Sequence, residues 1–256
     1  MEIKRKSTVK LLILLNLILA SLLLVVCLHY SIPTKILKKI GIRSASAWKS
    51  EYKYNEDKYY NRSRHLFAVY KPKEINLVML GDSITNAVDW NELLSRTDVA
   101  NRGIGGDSTE GIINRLDDIY ALNPKVCFIM AGINEVIHGI QYEGIVANYK
   151  RIINDLTAHN ITTVIQSTLY VSPKRRNHRL INLRVKKLND MLRTYAEQNQ
   201  IVFIDVNRAL SDDFALKEEY TYDGTHLLAH GYAKWRDLIL PVIERLHKMN
   251  ANKGCT

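Results

Sequence analysis

The sequence predicts an α/β fold, a parallel sheet whose strands alternate with helices. Three observations point there. Uncharged apolar runs of strand length recur from Ile75 onward, helix-period stripes fill the intervals, and Gly, Asp, Ser and Asn cluster just after the runs. The runs at 75–80, 126–131, 161–166 and 201–206 read as strands buried on both faces. A weaker fifth lies near Val99–Asn101. Ile112, Ile113, Leu116 and Ile119 share one helical face, as do Ile145, Tyr149, Ile152, Ile153 and Leu156. A third face carries Leu180, Leu183, Val185, Leu188 and Leu192, and a last helix is expected over about 229–247. Strands joined by helices of this length imply right-handed crossovers.

The 256 residues suit one domain, expected over 74–250 with a short tail at 251–256, plus an N-terminal appendage. The net charge of +10 is unevenly placed. Residues 1–73 carry 15 Lys and Arg against 4 Asp and Glu, and the remainder carries 21 against 22. A near-neutral main domain argues against a surface that tracks nucleic-acid phosphates. Lys4, Arg5, Lys6 and Lys10 precede Leu11–Leu28, 18 residues without a charge. That length nearly spans a hydrocarbon core, which takes roughly 17–25 apolar residues. A cleaved signal peptide would end in small residues, whereas this run exits through Val25-Val26-Cys27-Leu28-His29. Residues 1–29 are therefore expected to be a cytoplasmic tail and an uncleaved membrane anchor, with the main domain exported. Residues 30–73 follow as a basic, tyrosine-rich connector, read as a solvated spacer or a contact for anionic headgroups. Cys27, Cys127 and Cys255 are too scattered for a disulfide framework or a metal cluster.

In a parallel sheet the segments after the strands converge on one edge. Gly81-Asp82-Ser83 follows the first run, and the weak second leads into Asn101-Arg102-Gly103-Ile104-Gly105-Gly106-Asp107-Ser108. Gly132-Ile133-Asn134-Glu135 follows the third, and Tyr222-Asp223-Gly224-Thr225-His226 precedes the last helix. Together they supply a hydroxyl, a glycine backbone, an amide, a carboxylate and an imidazole, the groups that acyl transfer by a serine requires. A serine hydroxyl attacks at neutral pH only if a base takes its proton, a role suited to His226. Asp223, three residues earlier, could fix the ring tautomer. Ser83 N–H, Gly106 N–H and the Asn134 amide could face the developing oxyanion. Simpler readings exist for the parts: Asp82 or Ser83 capping a helix, Asn134 in a turn, Asp107 and Ser108 capping a helix from Thr109, His138 and His230 on the surface. The Gly103–Gly106 run lacks the spacing of a dinucleotide fingerprint.

The four blocks in order, Gly81-Asp82-Ser83-Ile84, Gly103-Ile-Gly-Gly106-Asp107, Gly132-Ile-Asn134 and Asp223-Gly-Thr-His226, resemble the signature of the SGNH (GDSL-type) esterases and lipases. The similarity covers about 74–247 and is closest to the branch resembling platelet-activating-factor acetylhydrolase. It implies a flavodoxin-like three-layer α/β/α fold with a central five-stranded parallel sheet, and neither cofactor nor metal. It also implies Ser83 as nucleophile, His226 and Asp223 as partners, and Ser83, Gly106 and Asn134 as the oxyanion hole. The chain departs from the family where Glu135 follows Asn134, a position that often holds Asp. The expectation is a membrane-anchored carboxylic-ester hydrolase, acting on a short acyl group of a small-molecule or glycan ester. A lysophospholipase or thioesterase, or a binding protein without catalysis, is the alternative. The basic loop Ser172–Arg179 follows the fourth run and is expected to overhang the site, as a solvated loop or an attractor of acidic substrate.

Overall fold

The computed structural model describes residues 53–56, 58–70 and 74–253. The expected membrane segment at 11–28, with Cys27, and Cys255 lie outside them. Among the described residues no helix is long and apolar enough to cross a membrane. Five strands, β1 (Leu77–Gly81), β2 (Val99–Gly103), β3 (Val126–Met130), β4 (Thr162–Gln166) and β5 (Val202–Ile204), form one parallel sheet in the order β2-β1-β3-β4-β5. Every residue of β1 and β3 is buried, which is why these segments read as unbroken apolar runs. The register sets Gly81 beside both Gly103 and Met130, so three strands end level.

The helices are α1 (Lys58–Val69), α2 (Ser83–Asn86), α3 (Trp90–Leu94), α4 (Thr109–Ile113), α5 (Asp117–Tyr120), α6 (Ile133–Ile137), α7 (Tyr142–Ala158), α8 (His178–Gln198), α9 (Asn207–Leu210) and α10 (Ala229–Lys253). Helices α4, α6, α7 and α8 pack with one another in one layer, and α3 and α9 pack with α10 in the other. The sheet lies between them, giving three layers. Trp90, Tyr232 and Trp235 form a ring cluster in the second layer, and Trp235 Nε1 donates to Gln166 Oε1 of β4 at 2.6 Å.

Two expectations need correction. Described residues ahead of 74 pack against the main domain. Part of the supposed connector is α1, whose Tyr60 is buried with its hydroxyl donating to Gly111 O at 2.9 Å. Arg64 pairs with Asp118, and Arg102 lies over the Phe67 ring at 4.5 Å. Tyrosine and arginine bury apolar bodies behind polar ends, so this segment reads as polar while acting as part of the fold.

The second correction concerns α8. Leu180 and Leu183 are exposed, and the buried stripe is Ile181, Val185, Leu188 and Leu192. Two polar residues set the rotation. Asn182 exchanges hydrogen bonds with Val171 N and O, and Asn189 with Thr168 N and O, all at 2.8–2.9 Å. Burying an amide that pairs with strand-exit backbone outweighs burying two more leucines, because those backbone groups would otherwise be unsatisfied. A short hairpin, β6 (Ser211–Asp212) with β7 (Ala215–Leu216), is a further element that no sequence pattern announced.

Candidate active site

The sheet order reverses on either side of β1 and β3, and the crevice at such a switch point is where open α/β sheets bind ligands. Ser83 opens α2 immediately after β1. Two glycines allow that tight exit. A Cβ on Gly81 would stand 2.3 Å from Thr85 Oγ1 and 2.4 Å from Met130 O, and one on Gly103 would stand 2.3 Å from Asn86 N. Asp82 caps the helix, Oδ1 accepting from Ile84 N at 3.0 Å. Its burial pushes the carboxyl up to about 7 against the pull of that N–H. Asn101 holds the exit from the side, donating to Val88 O and accepting from Gly103 N, each at 2.9 Å.

The loop before α10 is shaped by its own side chains. Thr221 Oγ1 accepts from Gly224 N at 2.9 Å, and Asp223 Oδ1 accepts from Thr225 N and His226 N at 2.9 and 2.8 Å. This local turn aims the other carboxylate oxygen at the imidazole, with Asp223 Oδ2 2.6 Å from His226 Nδ1. His226 Nε2 lies 2.9 Å from Ser83 Oγ, 143 positions away in sequence. Partial burial raises the Asp223 carboxyl, but the N–H of His226, its ring and the N–H of Thr225 together hold it below the usual range. Asp223 is therefore an anion able to orient the ring and to balance a proton on it. The Tyr222 ring stacks near that of His226, at 5.9 Å and 18°.

The remaining blocks follow β2 and β3, whose ends flank that of β1. Gly106 has φ 71° in the turn where Asp107 N bonds Ile104 O, a conformation that suits glycine. Asn134, in the first turn of α6, donates through Nδ2 to Asp107 O at 2.9 Å, which fixes its amide against the Gly106 loop. Ser83 is the first residue of its helix, so its N–H has no intrahelical acceptor. Ser108, whose Oγ accepts from Gly111 N, is the cap of α4. Asp107 is not a cap. It is buried against Arg115, 2.7 Å from Nη2, and the same nitrogen donates to Gly81 O at 3.1 Å. Sequence reading missed Arg115, a lone cation on an otherwise apolar face that also holds Ile112, Leu116 and Ile119. His138 and His230 are on the surface as expected.

Glu135, the departure from the family pattern, is buried. Its Oε1 accepts from Thr109 N at 2.7 Å and from Thr109 Oγ1 at 2.6 Å, while Oε2 has no partner among the described residues. The carboxyl is raised to about 7, chiefly by burial. A carboxyl that binds its proton more tightly when folded supports folding fully below its unfolded pKa, and that support fades as pH rises through the folded value. Glu135→Gln keeps the accepting oxygen and cannot ionise. From about pH 5 to pH 8 its stability relative to wild type should improve by on the order of 3 kcal/mol, read from urea melts across pH. A parallel pair of pH profiles would show that Glu135 does not titrate in this range.

The basic loop 172–179 packs on the Asp223–His226 turn. Ser172 N donates to Gly224 O at 2.8 Å, Arg175 Nη1 to Thr225 Oγ1 at 3.0 Å, and Lys174 Nζ to Thr221 O at 3.2 Å. A Cβ on Gly224, at φ +88°, would stand 3.1 Å from Arg175 N, so this contact depends on glycine.

Comparison with known proteins accords with this geometry. The sequence model of the GDSL-like Lipase/Acylhydrolase family matches residues 79–234. Platelet-activating factor acetylhydrolase IB subunit alpha1 of Bos taurus is 26% identical over 187 residues, covering 70% of this chain and 76% of that protein. An N-acylneuraminate cytidylyltransferase of Streptococcus agalactiae is 29% identical over 157 residues, 60% of this chain, which spans only 35% of that protein's length. Among solved structures, a GDSL-like lipase from Bacteroides thetaiotaomicron superposes with TM-score 0.65 at 24% identity, covering 75% of this chain and 99% of the other. The acetyl xylan esterase AlAXEase superposes at 0.57 with 22% identity, covering 66% and 100%. The family's matched stretch holds all four blocks, so this chain belongs to the GDSL-like lipase/acylhydrolase family.

Proposed function

We propose that the protein is a serine carboxylic-ester hydrolase working through an acyl-enzyme on Ser83. The observation that carries this is the unbroken relay from Ser83 Oγ through His226 to Asp223, at 2.9 and 2.6 Å. Ser83 Oγ attacks the ester carbonyl while His226 Nε2 takes its proton. The anion that forms accepts from Ser83 N–H, Gly106 N–H and the Asn134 amide. Collapse expels the alcohol, which receives the proton back from His226. Water then repeats the sequence on the acyl-enzyme and frees the acid.

Asn134→Ala should lower kcat by about 10²–10³ with little change in KM, since the amide acts on charge present only in the transition state. Steady-state kinetics on a nitrophenyl ester reads this split directly. Labelling tests the reading as a whole: a fluorophosphonate should modify Ser83, located by mass spectrometry. An unlabelled Ser83 would favour a binding protein on the same fold.

The substrate we favour is an acetyl ester of a carbohydrate. The loops that meet at the site, 103–108, 172–179 and 221–226, carry no long apolar run suited to a fatty chain. Two similar proteins also carry acetyl esters in their names, the acetylhydrolase subunit and the acetyl xylan esterase. The exposed Leu180 and Leu183, at the start of the helix leaving the basic loop, favour a second reading in which lipid acyl esters are cleaved. Rates on acetyl against octanoyl nitrophenyl esters separate the two. Residues 11–28 are the proposed anchor, with the catalytic domain outside the cytoplasm. Release of the full chain from membranes by alkaline carbonate would rule that out.

A further inference from the structure

A second cavity opens on the far part of the same strand edge, between α8, α9 and the β6–β7 hairpin. It has a volume of about 320 Å³, at the low end of the roughly 300–1,000 Å³ that small-molecule sites occupy. Its wall includes a backbone anomaly. The hairpin closes with a two-residue loop, Asp213 at φ 42° and Phe214 at φ 53°. Both residues left-handed is the geometry of a type I′ turn, which prefers Asn-Gly or Asp-Gly. Asp213 fits that preference. Phe214 stands where glycine is favoured, and an aromatic residue at positive φ is an outlier. Residues held in this region cluster at functional sites, where the surrounding structure holds them in place.

What the strain achieves is the placing of a ring. Phe214 is 57% exposed and meets Tyr170 edge to face, at 6.1 Å and 89°, so the two rings form an aromatic corner at the cavity. Lys186 Nζ stands over the Phe214 ring at 5.8 Å, and the rest of this exposed ring offers flat apolar surface to solvent. The rest of the wall is polar and nearly balanced in charge, with three cationic and four acidic side chains. Lys186 pairs with Asp190 and Arg193 with Asp205, each at 2.7–2.8 Å. Arg208 and Asp213 have no side-chain partner among the described residues. Balanced charge disfavours an anion or a cation. Many donors and acceptors beside a flat apolar face suit a ring that carries hydroxyls on its rim and C–H groups on its face.

We propose that this cavity is a binding site for a neutral saccharide, with a pyranose ring stacked on Phe214 and its hydroxyls bonded to Arg208 and Asp213. The site adjoins the catalytic loop through one segment. Leu216 N of the hairpin donates to Val171 O at 3.3 Å, and Ser172 N donates to Gly224 O at 2.8 Å. A glycan held here would be anchored one short segment from the turn that carries Asp223 and His226. The inference does not require hydrolysis, so it can fail or hold independently of the esterase reading.

The test is an NMR titration of the full-length Ser83→Ala chain in detergent with xylotetraose, and separately with the N-acetylglucosamine tetramer. Shifts should concentrate at Tyr170, Arg208 and Phe214. Phe214→Ala should weaken binding by about tenfold or more, while leaving nitrophenyl acetate hydrolysis by the otherwise wild-type chain unchanged. Phe214→Gly should also lose binding yet raise Tm by about 2–4 °C, because it relieves the turn. No shifts with either sugar at about 10 mM, undiminished binding by Phe214→Ala, or a lowered Tm for Phe214→Gly would each overturn the proposal.

Discussion

Ser83→Ala should lower kcat on a nitrophenyl acetate by on the order of 10⁴–10⁶-fold, with substrate binding largely kept. The oxygen removed is the one within 2.9 Å of His226 Nε2, and no other described hydroxyl is recorded against that nitrogen. Asp223→Asn should cost about 10⁴-fold, because an amide opposite Nδ1 favours the wrong tautomer. Its main-chain bonds to Thr225 and His226 would survive through the remaining oxygen. The pair of variants should not combine additively. Once the nucleophile is gone, loss of the residue that orients its base removes nothing further. Stopped-flow and steady-state rates for the two single variants and the double variant check this. Wild-type turnover by Ser83→Ala would refute the assignment.

Arg115→Met should destabilise the domain by about 3–5 kcal/mol, the usual result of removing one partner of a buried ion pair. Arg115 and Asp107 both have fully buried side chains, 2.7 Å apart. Burial pushes the Asp107 carboxyl up despite the neighbouring guanidinium, so without Arg115 the acid would have to fold protonated. The loss should therefore grow with pH, since protonation becomes harder. Gly81 O would also lose its donor, just ahead of Ser83. For a domain of this size the change corresponds to a fall in Tm of roughly 10 °C or more. Adding Asp107→Asn should recover part of it, because an uncharged amide is cheaper to bury than an unpaired carboxylate. Urea unfolding of the single and double variants measures both effects. A double variant no more stable than Arg115→Met would show that the ion pair is not the source of the loss.

Much of this was legible in the chain. The strand runs and the four polar blocks after them are local patterns, since burial on both faces enforces apolar runs and tight exits enforce glycine. The expected positions of Ser83, Asp223, His226, Gly106 and Asn134 all fall at one edge of the sheet. Other features depend on partners far away in sequence. Arg115 looks misplaced until Asp107 and Gly81 O surround it. The rotation of α8 follows from two asparagines whose partners are at 168–171, so the hydrophobic count put Leu180 and Leu183 on the wrong side. Helix α1 was hidden because tyrosine and arginine bury without looking apolar.

By itself, then, the sequence determined the α/β class, the strand positions, the family blocks and the polar residues that gather at the candidate site, because each is encoded in spacing and residue type over a short stretch. Only the tertiary structure decided that Ser83 and His226 meet, that Asp107 is an ion-pair partner rather than a helix cap, and that a strained Phe214 overlooks a second cavity. Distances across 143 positions, and the satisfaction of buried polar groups, are properties of the packed whole, in which one residue's partner is fixed by the folding of all the others.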